Sequence, residues 1–237
     1  MKLGPRLAEI SHLVPRGYVA ADIGTDHAYL PAYLVSNNIS PRVIATDKAL
    51  HPLEKARKTL ELLNLFPKVE LRLGDGLSAL REEDGVEVII LAGMGGKTIC
   101  RILHKGKALA SRARSLIIQP MNDVALVRRW LVAHGFCLPE ESLVRENGKF
   151  YEILAAKPGK QVVEDPFLLE VGPALVRQSH PLLPSYLETK INVCRQIQEK
   201  ISSQAQGKNS EKYWYLERKR LKFKEVLESV AQGSRCY

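Results

Sequence analysis

Asp22-Ile23-Gly24-Thr25-Asp26-His27-Ala28-Tyr29-Leu30-Pro31 follows the apolar run Tyr18-Val19-Ala20-Ala21 and opens a segment of helical character. A strand that feeds a tight glycine turn and then a helix is how α/β folds present a nucleotide-like ligand to backbone N–H groups. Here the turn is acidic, with carboxylates at Asp22 and Asp26 flanking its only glycine. Such a turn repels a pyrophosphate, and dinucleotide sites usually carry three glycines with no acid at the helix N-terminus. A ligand with a sulfonium, an ammonium and a ribose diol but no phosphate, such as S-adenosylmethionine, suits nearby carboxylates. The turn therefore favours a methyl donor over a nicotinamide dinucleotide; an ordinary βα turn capped by Thr25 or Asp26 is the alternative.

Outward from this turn, the chain up to about Lys157 alternates strand-like apolar runs with helix-like segments, the pattern of a parallel sheet covered by helices. The predicted strands are Tyr18–Ile23, Arg42–Thr46, Val69–Leu73, Val86–Leu91, Ser115–Gln119, a run near Cys137–Val144, and Tyr151–Ala155. Helical segments separate the first five. The last two are joined only by Arg145-Glu146-Asn147-Gly148-Lys149, which predicts a hairpin turning at Asn-Gly. An α/β fold with a seven-stranded, mostly parallel sheet follows. Before the first strand, Leu3, Leu7, Ile10 and Leu13/Val14 share one face of a helix that Pro15 and Gly17 end.

Pro158, Gly159 and Pro166 break the pattern, so a catalytic domain over 1–160 and a helical domain over 165–237 are expected. In the second, Leu187, Ile191, Cys194 and Ile201 recur at helical spacing, as do Tyr213, Leu216, Phe223, Leu227 and Val230. The polar stretch Gln204–Ser210 joins the two, giving an antiparallel, coiled-coil-like helical hairpin. From Gly172 onward 12 Lys/Arg stand against 6 Asp/Glu, so +6 of the formal +9 lies there. Arg218, Lys219, Arg220, Lys222 and Lys224 are the candidate RNA-binding residues; a solvated charged face is the alternative.

The 237 residues, 45% of them hydrophobic, can bury one α/β core and a small appended domain. Cys100, Cys137, Cys194 and Cys236 are dispersed, and the six histidines show no ligand spacing, so neither a disulfide framework nor a metal site is expected. No apolar run approaches the roughly 20 residues that span a bilayer, and the N-terminus lacks the apolar core of a signal peptide. A cytoplasmic monomer without membrane contact is expected.

Further acidic or glycine-rich turns follow the next three strands. Asp47 ends Ile44-Ala45-Thr46-Asp47, 23 residues past Gly24, where an acid can accept from a ribose diol or cap the next helix. Asp75 in Gly74-Asp75-Gly76 can accept from an exocyclic adenine amine or cap a tight turn. Leu91-Ala92-Gly93-Met94-Gly95-Gly96 lets the backbone approach a flat ligand and offers Met94 as a polarizable surface, unless it is a plain flexible turn. All four turns lie at one edge of the sheet, where open α/β sheets bind ligands.

D-I-G-T-D-H-A-Y-L-P at 22–31, I-A-T-D at 44–47, L-G-D-G-L at 73–77, L-A-G-M-G-G at 91–96, I-I-Q-P-M at 117–121 and R-R-W-L at 128–131 resemble the bacterial tRNA (adenine(22)-N1)-methyltransferases. The similarity runs on through Gly148-Lys149-Phe150-Tyr151-Glu152-Ile153, and the order of domains also matches. It implies a class I, Rossmann-like methyltransferase fold that moves a methyl group from S-adenosylmethionine to N1 of a tRNA adenosine, at position 22 in the D-arm. On matching residues it implies that Asp22, Gly24, Thr25, Asp26 and His27 hold the methionine end of the donor and Asp47 the ribose. Asp75 and Gly76 would hold the adenine, and Ala92, Gly93, Met94 and Gly95 the space between donor and target. Asp26 and Tyr29 are the expected catalytic neighbourhood.

The turn after strand four lacks the Asn/Asp-Pro-Pro-aromatic motif common in enzymes acting on exocyclic amines, which agrees with a ring-nitrogen target. Tyr29 can stack on an extruded base or pack beneath the first helix; Cys100 is expected to face the core from a helix. A non-catalytic RNA-binding protein on the same fold shares these features and differs only in that no methyl group moves.

Overall fold

The computed structural model describes residues 1–203 and 210–233. The chain divides into two compact units, Met1–Val162 and Val163–Tyr237. In the first, the strands are β1 (Ala20–Ile23), β2 (Val43–Asp47), β3 (Val69–Leu73), β4 (Val88–Met94), β5 (Ser115–Pro120), β6 (Phe136–Glu146) and β7 (Lys149–Pro158). They form one sheet in the order β3-β2-β1-β4-β5-β7-β6. β1 to β5 pair in parallel, and β7 runs antiparallel to both β5 and β6. The expected seven-stranded, mostly parallel sheet is present.

Strand residues alternate between two cores, as a sheet covered on both faces requires. Ala20, Val43, Ala45, Val88, Ile90 and Ile117 pack on one side with Ile10 and Leu13 of α1 (Pro5–Leu13), Leu30 and Leu34 of α2 (Tyr29–Ser36), and Ala56 and Leu60 of α3 (Leu50–Leu63). Ala21, Ile44, Ile89, Leu91, Leu116 and Ile118 pack on the other with Ile99 and Leu103 of α4 (Gly96–Lys105), Ala110 of α5 (Lys107–Arg112), and Val127 and Leu131 of α6 (Val124–Ala133). Cys100 is half-buried against this second core. α1 begins at Pro5, its buried face carries the anticipated Ile10 and Leu13, and it lies on β6 and β7.

Every strand but β3 differs from its predicted bounds by one to three residues at one or both ends, and two of these differences change the local reading. β4 starts at Val88, not Val86, and runs on through Ala92, Gly93 and Met94, with a register shift against β5 between Ala92 and Met94. The first glycine of the cluster therefore belongs to a bulge in the strand. The β6–β7 hairpin turns in two residues: Asn147 and Gly148 have φ of 49° and 77°, and Glu146 pairs directly with Lys149. Positive φ at both positions is what a type I′ turn demands, and its twist lets the strands extend to the turn.

The second unit contains α7 (Leu168–Val171), α8 (Pro173–Arg177), α9 (Leu183–Ser202) and α10 (Glu211–Ala231). Leu187 and Cys194 on α9, and Leu216 and Phe223 on α10, are buried; Ile191, Ile201, Tyr213, Leu227 and Val230 are half-buried. Gln198 donates to Glu217, 2.8 Å away, while Cys194 lies in the field of Lys219 and Arg220, so positions ascend on one helix as they descend on the other. The helices are antiparallel. Ser210 caps α10 by accepting the Tyr213 N–H. Residues 204–209 of the joining stretch and Cys236 lie outside the described residues. No helix among the described residues is long and apolar enough to cross a membrane.

Candidate active site

The turn at Gly24 is drawn back over β2: the N–H groups of Gly24 and Thr25 both donate to the Thr46 carbonyl at 2.8 Å. Asp22, one residue before the end of β1, is buried. Burial pushes its carboxyl up to about 6; the Thr25 hydroxyl bonded to it works against that rise, and Asp47 adds to it. The side chain of Thr25 therefore serves Asp22 and not a helix. α2 starts only at Tyr29, with Ala28 in its N-cap position at φ 54° and no side-chain cap, so neither Thr25 nor Asp26 plays the capping part.

Asp26 differs sharply from Asp22. Its side chain is 66% exposed, 3.3 Å from His27 Nε2 and 3.8 Å from Lys55 Nζ. His27 in turn stacks on Tyr29, ring centroids 5.1 Å apart and planes within 5°. Tyr29 is 46% exposed, so it does not pack beneath the helix.

A cavity of about 410 Å³ is lined by Arg6, Asp22, Gly24, Asp26, His27 and Tyr29 among others, and reaches Ala92 and Gly93. A second, of about 210 Å³, is lined by Gly24, Asp47, Asp75, Gly76, Met94 and Arg101 among others. Gly24 borders both, and Met94 Sδ lies 3.6 Å from where a Cβ on Gly24 would stand. Asp47 spends one carboxylate oxygen on the Ala49 N–H at 2.9 Å, so it also organises the entry to α3. Asp75 lies 3.6 Å from Lys105 Nζ, and the short helical turn after it (Gly76–Ala79) has no side-chain cap.

The glycines around the end of β4 have separate reasons. Gly93, at φ 76°, forms the bulge that faces the first cavity. Gly96 answers to the neighbouring loop: a Cβ there would stand 2.7 Å from the Asp123 carbonyl and 2.8 Å from that of Asn122. Gly95 sits against Asn122 and, among the described residues, lines neither cavity. The loops after β4 and β5 are zipped together, Met121 N–H to Met94 carbonyl at 2.8 Å and Gly96 N–H to Asn122 Oδ1 at 3.1 Å. Gln119 closes the zip from below: it is fully buried, and its Oε1 accepts both Gly93 N–H at 3.3 Å and Arg6 Nη1 at 2.6 Å.

Arg6, Gln119 and Asn122 were not among the expected site residues. Gln119 stands inside the quoted I-I-Q-P-M stretch, but Arg6 lies on the polar side of a helix whose sequence pattern reports only its buried face.

In the second unit, Lys219 donates to Glu170 at 2.7 Å, Arg220 pairs with Glu217 at 2.6 Å, and Lys222 lies 3.4 Å from Asp165. Arg218 and Lys224 are exposed. So are Trp214, Tyr215 and Leu221; Trp214, Arg218 and Leu221, spaced by four and three, fall on one stripe of α10.

A family model described as "Methyltransferase domain" matches residues 3–154. The tRNA (adenine(22)-N(1))-methyltransferase of Bacillus subtilis (strain 168) is 33% identical over 210 residues, 86% of this chain and 88% of that protein. Among solved structures, Streptococcus pneumoniae Sp1610 in complex with S-adenosyl-L-methionine superposes with a TM-score of 0.86 at 33% identity, covering 95% of this chain and 100% of that one. TrmK of M. capricolum with the cofactor product S-adenosyl-homocysteine superposes with a TM-score of 0.82 at 28% identity, covering 97% and 100%.

Proposed function

The chain belongs to the tRNA (adenine(22)-N1)-methyltransferase family and transfers a methyl group from S-adenosylmethionine to N1 of an adenosine in tRNA, and we propose that it does so with the donor lying across the two cavities that meet at Gly24. The donor set fits: one cavity is acidic and phosphate-averse, and the other carries Asp47 and Asp75, acceptors for a diol and an amine. The observation that carries the reading is Asp22, a buried carboxyl whose ionisation is unfavourable until a cation joins it.

In this reading Asp22, with Thr25 orienting it, holds the ammonium of the methionine end; Asp47 holds the ribose; and Asp75 with Gly76 holds the adenine. Asp26 and His27 form the outer wall. Ala92, Gly93 and Met94 leave the gap in which donor and target meet, and Gly95 keeps that loop against Asn122. Bound there, the donor supplies an electrophilic methyl on a sulfonium. Adenine N1 carries an in-plane lone pair at neutral pH, so the chain needs no base before the transfer and its task is alignment. The product is cationic until N6 loses a proton, and the exposed carboxylate of Asp26 stands at the cavity to lower the cost of that charge.

N1 is on the Watson–Crick edge, so the base must leave its stack. The stacked His27–Tyr29 pair offers the platform that receives it. The helical unit supplies the tRNA grip through Arg218 and Lys224, with Trp214 and Tyr215 available to stack on unpaired bases. A monomer working in the cytoplasm completes the reading; the dispersed cysteines agree with a reducing compartment. The test is methylation of unmodified tRNA in vitro, read as 1-methyladenosine by nucleoside mass spectrometry. Wild type should form it, and Tyr29→Ala should lose about 10- to 100-fold in kcat/KM for tRNA, the worth of one base stack, with donor affinity kept. Full turnover in both Tyr29→Ala and Asp22→Asn would remove this site from the chemistry.

A further inference from the structure

The β6–β7 hairpin outruns the strand it pairs with. Pairing of β5 with β7 goes from Leu116 opposite Ala156 to Ile118 opposite Leu154, and in the same register Pro120, the last residue of β5, lies level with Glu152. Lys149, where the hairpin turns, is three residues further on, about 10 Å past the end of β5 at roughly 3.4 Å per residue. That end of the sheet is the edge with the two cavities. The tip stands beside the first of them. Tyr151, two residues from Lys149, has its ring centroid 5.6 Å from the guanidinium carbon of Arg6 in the cavity wall, and Glu146, paired with Lys149, lies 3.8 Å from Arg6 Nε.

The projection is braced on both faces. On one, Ser142 donates to Glu9 of α1 at 2.7 Å, and Glu146 accepts the Arg6 N–H at 3.3 Å. On the other, buried Glu141 and Glu152 hold Arg128 of α6 at 2.6 and 2.8 Å. Glu146, the acid of the tip, is thus turned toward α1. Arg145 and Lys149 remain exposed, and neither has a carboxylate partner among the described residues. Arg145 lies over the Phe150 ring, 5.7 Å from its centroid, and its guanidinium makes no hydrogen bond to a described residue.

An adenosine delivered to this edge sends its base into a cavity walled by Asp22 and Asp26. The phosphates on either side of it stay at the rim, where those carboxylates repel them. Two cations fixed at the rim offset the repulsion and set the register of the RNA strand, which is what phosphate contacts do. We propose that the tip of the β6–β7 hairpin is a second tRNA surface, on the catalytic unit, where Arg145 and Lys149 hold phosphates next to the extruded adenosine. The inference rests on methyl transfer taking place at this edge; donor titration tests that reading by itself.

Filter binding of unmodified tRNA across a salt series, with methylation kinetics alongside, reads the surface. Arg145→Gln with Lys149→Gln should flatten the slope of log affinity against log salt by about 1.4–1.8, two phosphate contacts at about 0.7–0.9 each, and raise KM for tRNA about tenfold. Turnover at saturating tRNA, and affinity for S-adenosylmethionine by isothermal titration, should stay within about twofold of wild type. Arg16, before β1, and Lys68, before β3, are exposed at the opposite edge of the sheet, and Arg16→Gln with Lys68→Gln removes the same charge there. That change should move neither slope nor KM. An unchanged slope and KM in the hairpin variant overturns the proposal, as does an equal loss in the opposite-edge variant, which would reduce the effect to net charge. So does a hairpin variant whose donor affinity falls with its tRNA affinity, since the tip would then be supporting the fold of the site. A wild type that binds tRNA but no donor overturns the reading of this edge, a failure that the tRNA measurements cannot produce.

Discussion

At the C-terminal edge of the sheet, acidic side chains are only lightly engaged with the rest of the protein. Asp26 stands 3.8 Å from Lys55, Asp75 3.6 Å from Lys105, and Asp47 accepts a single backbone N–H. On α10 the situation is reversed: Lys219, Arg220 and Lys222, the centre of the basic run, each face a carboxylate of their own unit. Charge density along the sequence is the same kind of signal in both places. The difference lies in position. A strand end on an open sheet edge has no neighbour to satisfy it, whereas a helix in a small bundle has carboxylates three residues away or across the seam. A run of like charge therefore points to a ligand only after its internal partners have been subtracted, which on α10 leaves Arg218 and Lys224 with the aromatic pair Trp214 and Tyr215.

The contrast is most open to attack where charge is wholly committed to the fold. Arg128 on α6 is fully buried, 2.6 Å from Glu141 on β6 and 2.8 Å from Glu152 on β7. Arg128→Met leaves two buried carboxylates against an apolar side chain and should cost about 3–5 kcal/mol in urea unfolding, the penalty for breaking a buried ion pair. A loss under 1 kcal/mol would show that buried charge here is no more committed than surface charge.

Next comes Asp22, where fold and ligand pull in opposite directions. Its carboxyl is raised, so the protonated form is favoured in the folded, ligand-free state; the stability this brings is full below the ordinary value of 3.8 and is lost as pH rises to about 6. At neutral pH the strain is about 3 kcal/mol at 1.36 kcal/mol per pH unit. Asp22→Asn should therefore raise the melting temperature of the ligand-free protein at pH 7 and flatten its pH dependence between 4 and 6. The same change should abolish measurable donor binding. In wild type, donor affinity should fall about tenfold per pH unit below 6, since the cation needs the ionised form. A variant that melts lower and still binds would reverse the assignment.

The smallest effects divide α10. Arg218→Glu with Lys224→Glu should weaken tRNA binding by roughly tenfold and reduce its salt dependence, because each phosphate contact releases a counterion. Lys222→Gln should change unfolding by less than about 1 kcal/mol, as an exposed pair. Filter binding across a salt series separates these outcomes. Equal tRNA losses from Lys222→Gln and from the double change would mean that internal pairing does not subtract a cation from the RNA surface.

Most of the sheet was legible because strand periodicity and turn chemistry are local. Asn147-Gly148 announced the reversal, and the apolar runs at Arg42–Thr46 and Ser115–Gln119 marked strands of a sheet covered by helices. The acidic turns were legible too, since Asp22, Asp47 and Asp75 occupy strand ends that topology brings to one edge. What sequence could not reveal was why three glycines cluster at the end of β4 and the start of α4. Gly93 makes a bulge and Gly96 a close approach to Asn122 and Asp123, a distinction that exists only once β5 lies beside β4. The different fates of Asp22 and Asp26 were equally hidden, because burial is a property of the assembled turn. Arg6 was out of reach for the same reason: its partners sit at positions 119, 146 and 151.

Arg6 and Glu146 are 140 residues apart in the chain and meet at the tip of the β6–β7 hairpin. Contacts of such long range form late, because the intervening loop must first be closed by the rest of the sheet. On a ribosome the N-terminal helix emerges first and has nothing to anchor its arginine until the last strand pair has cleared the exit. A nascent chain can then build Asp22, Asp47 and Asp75 into place while its donor pocket still has an open wall. The final hairpin acts as the latch that turns a folded sheet into a working one: β7 joins β5 to β6, so a chain truncated before Lys149 should keep only the parallel order β3-β2-β1-β4-β5 and release its donor quickly.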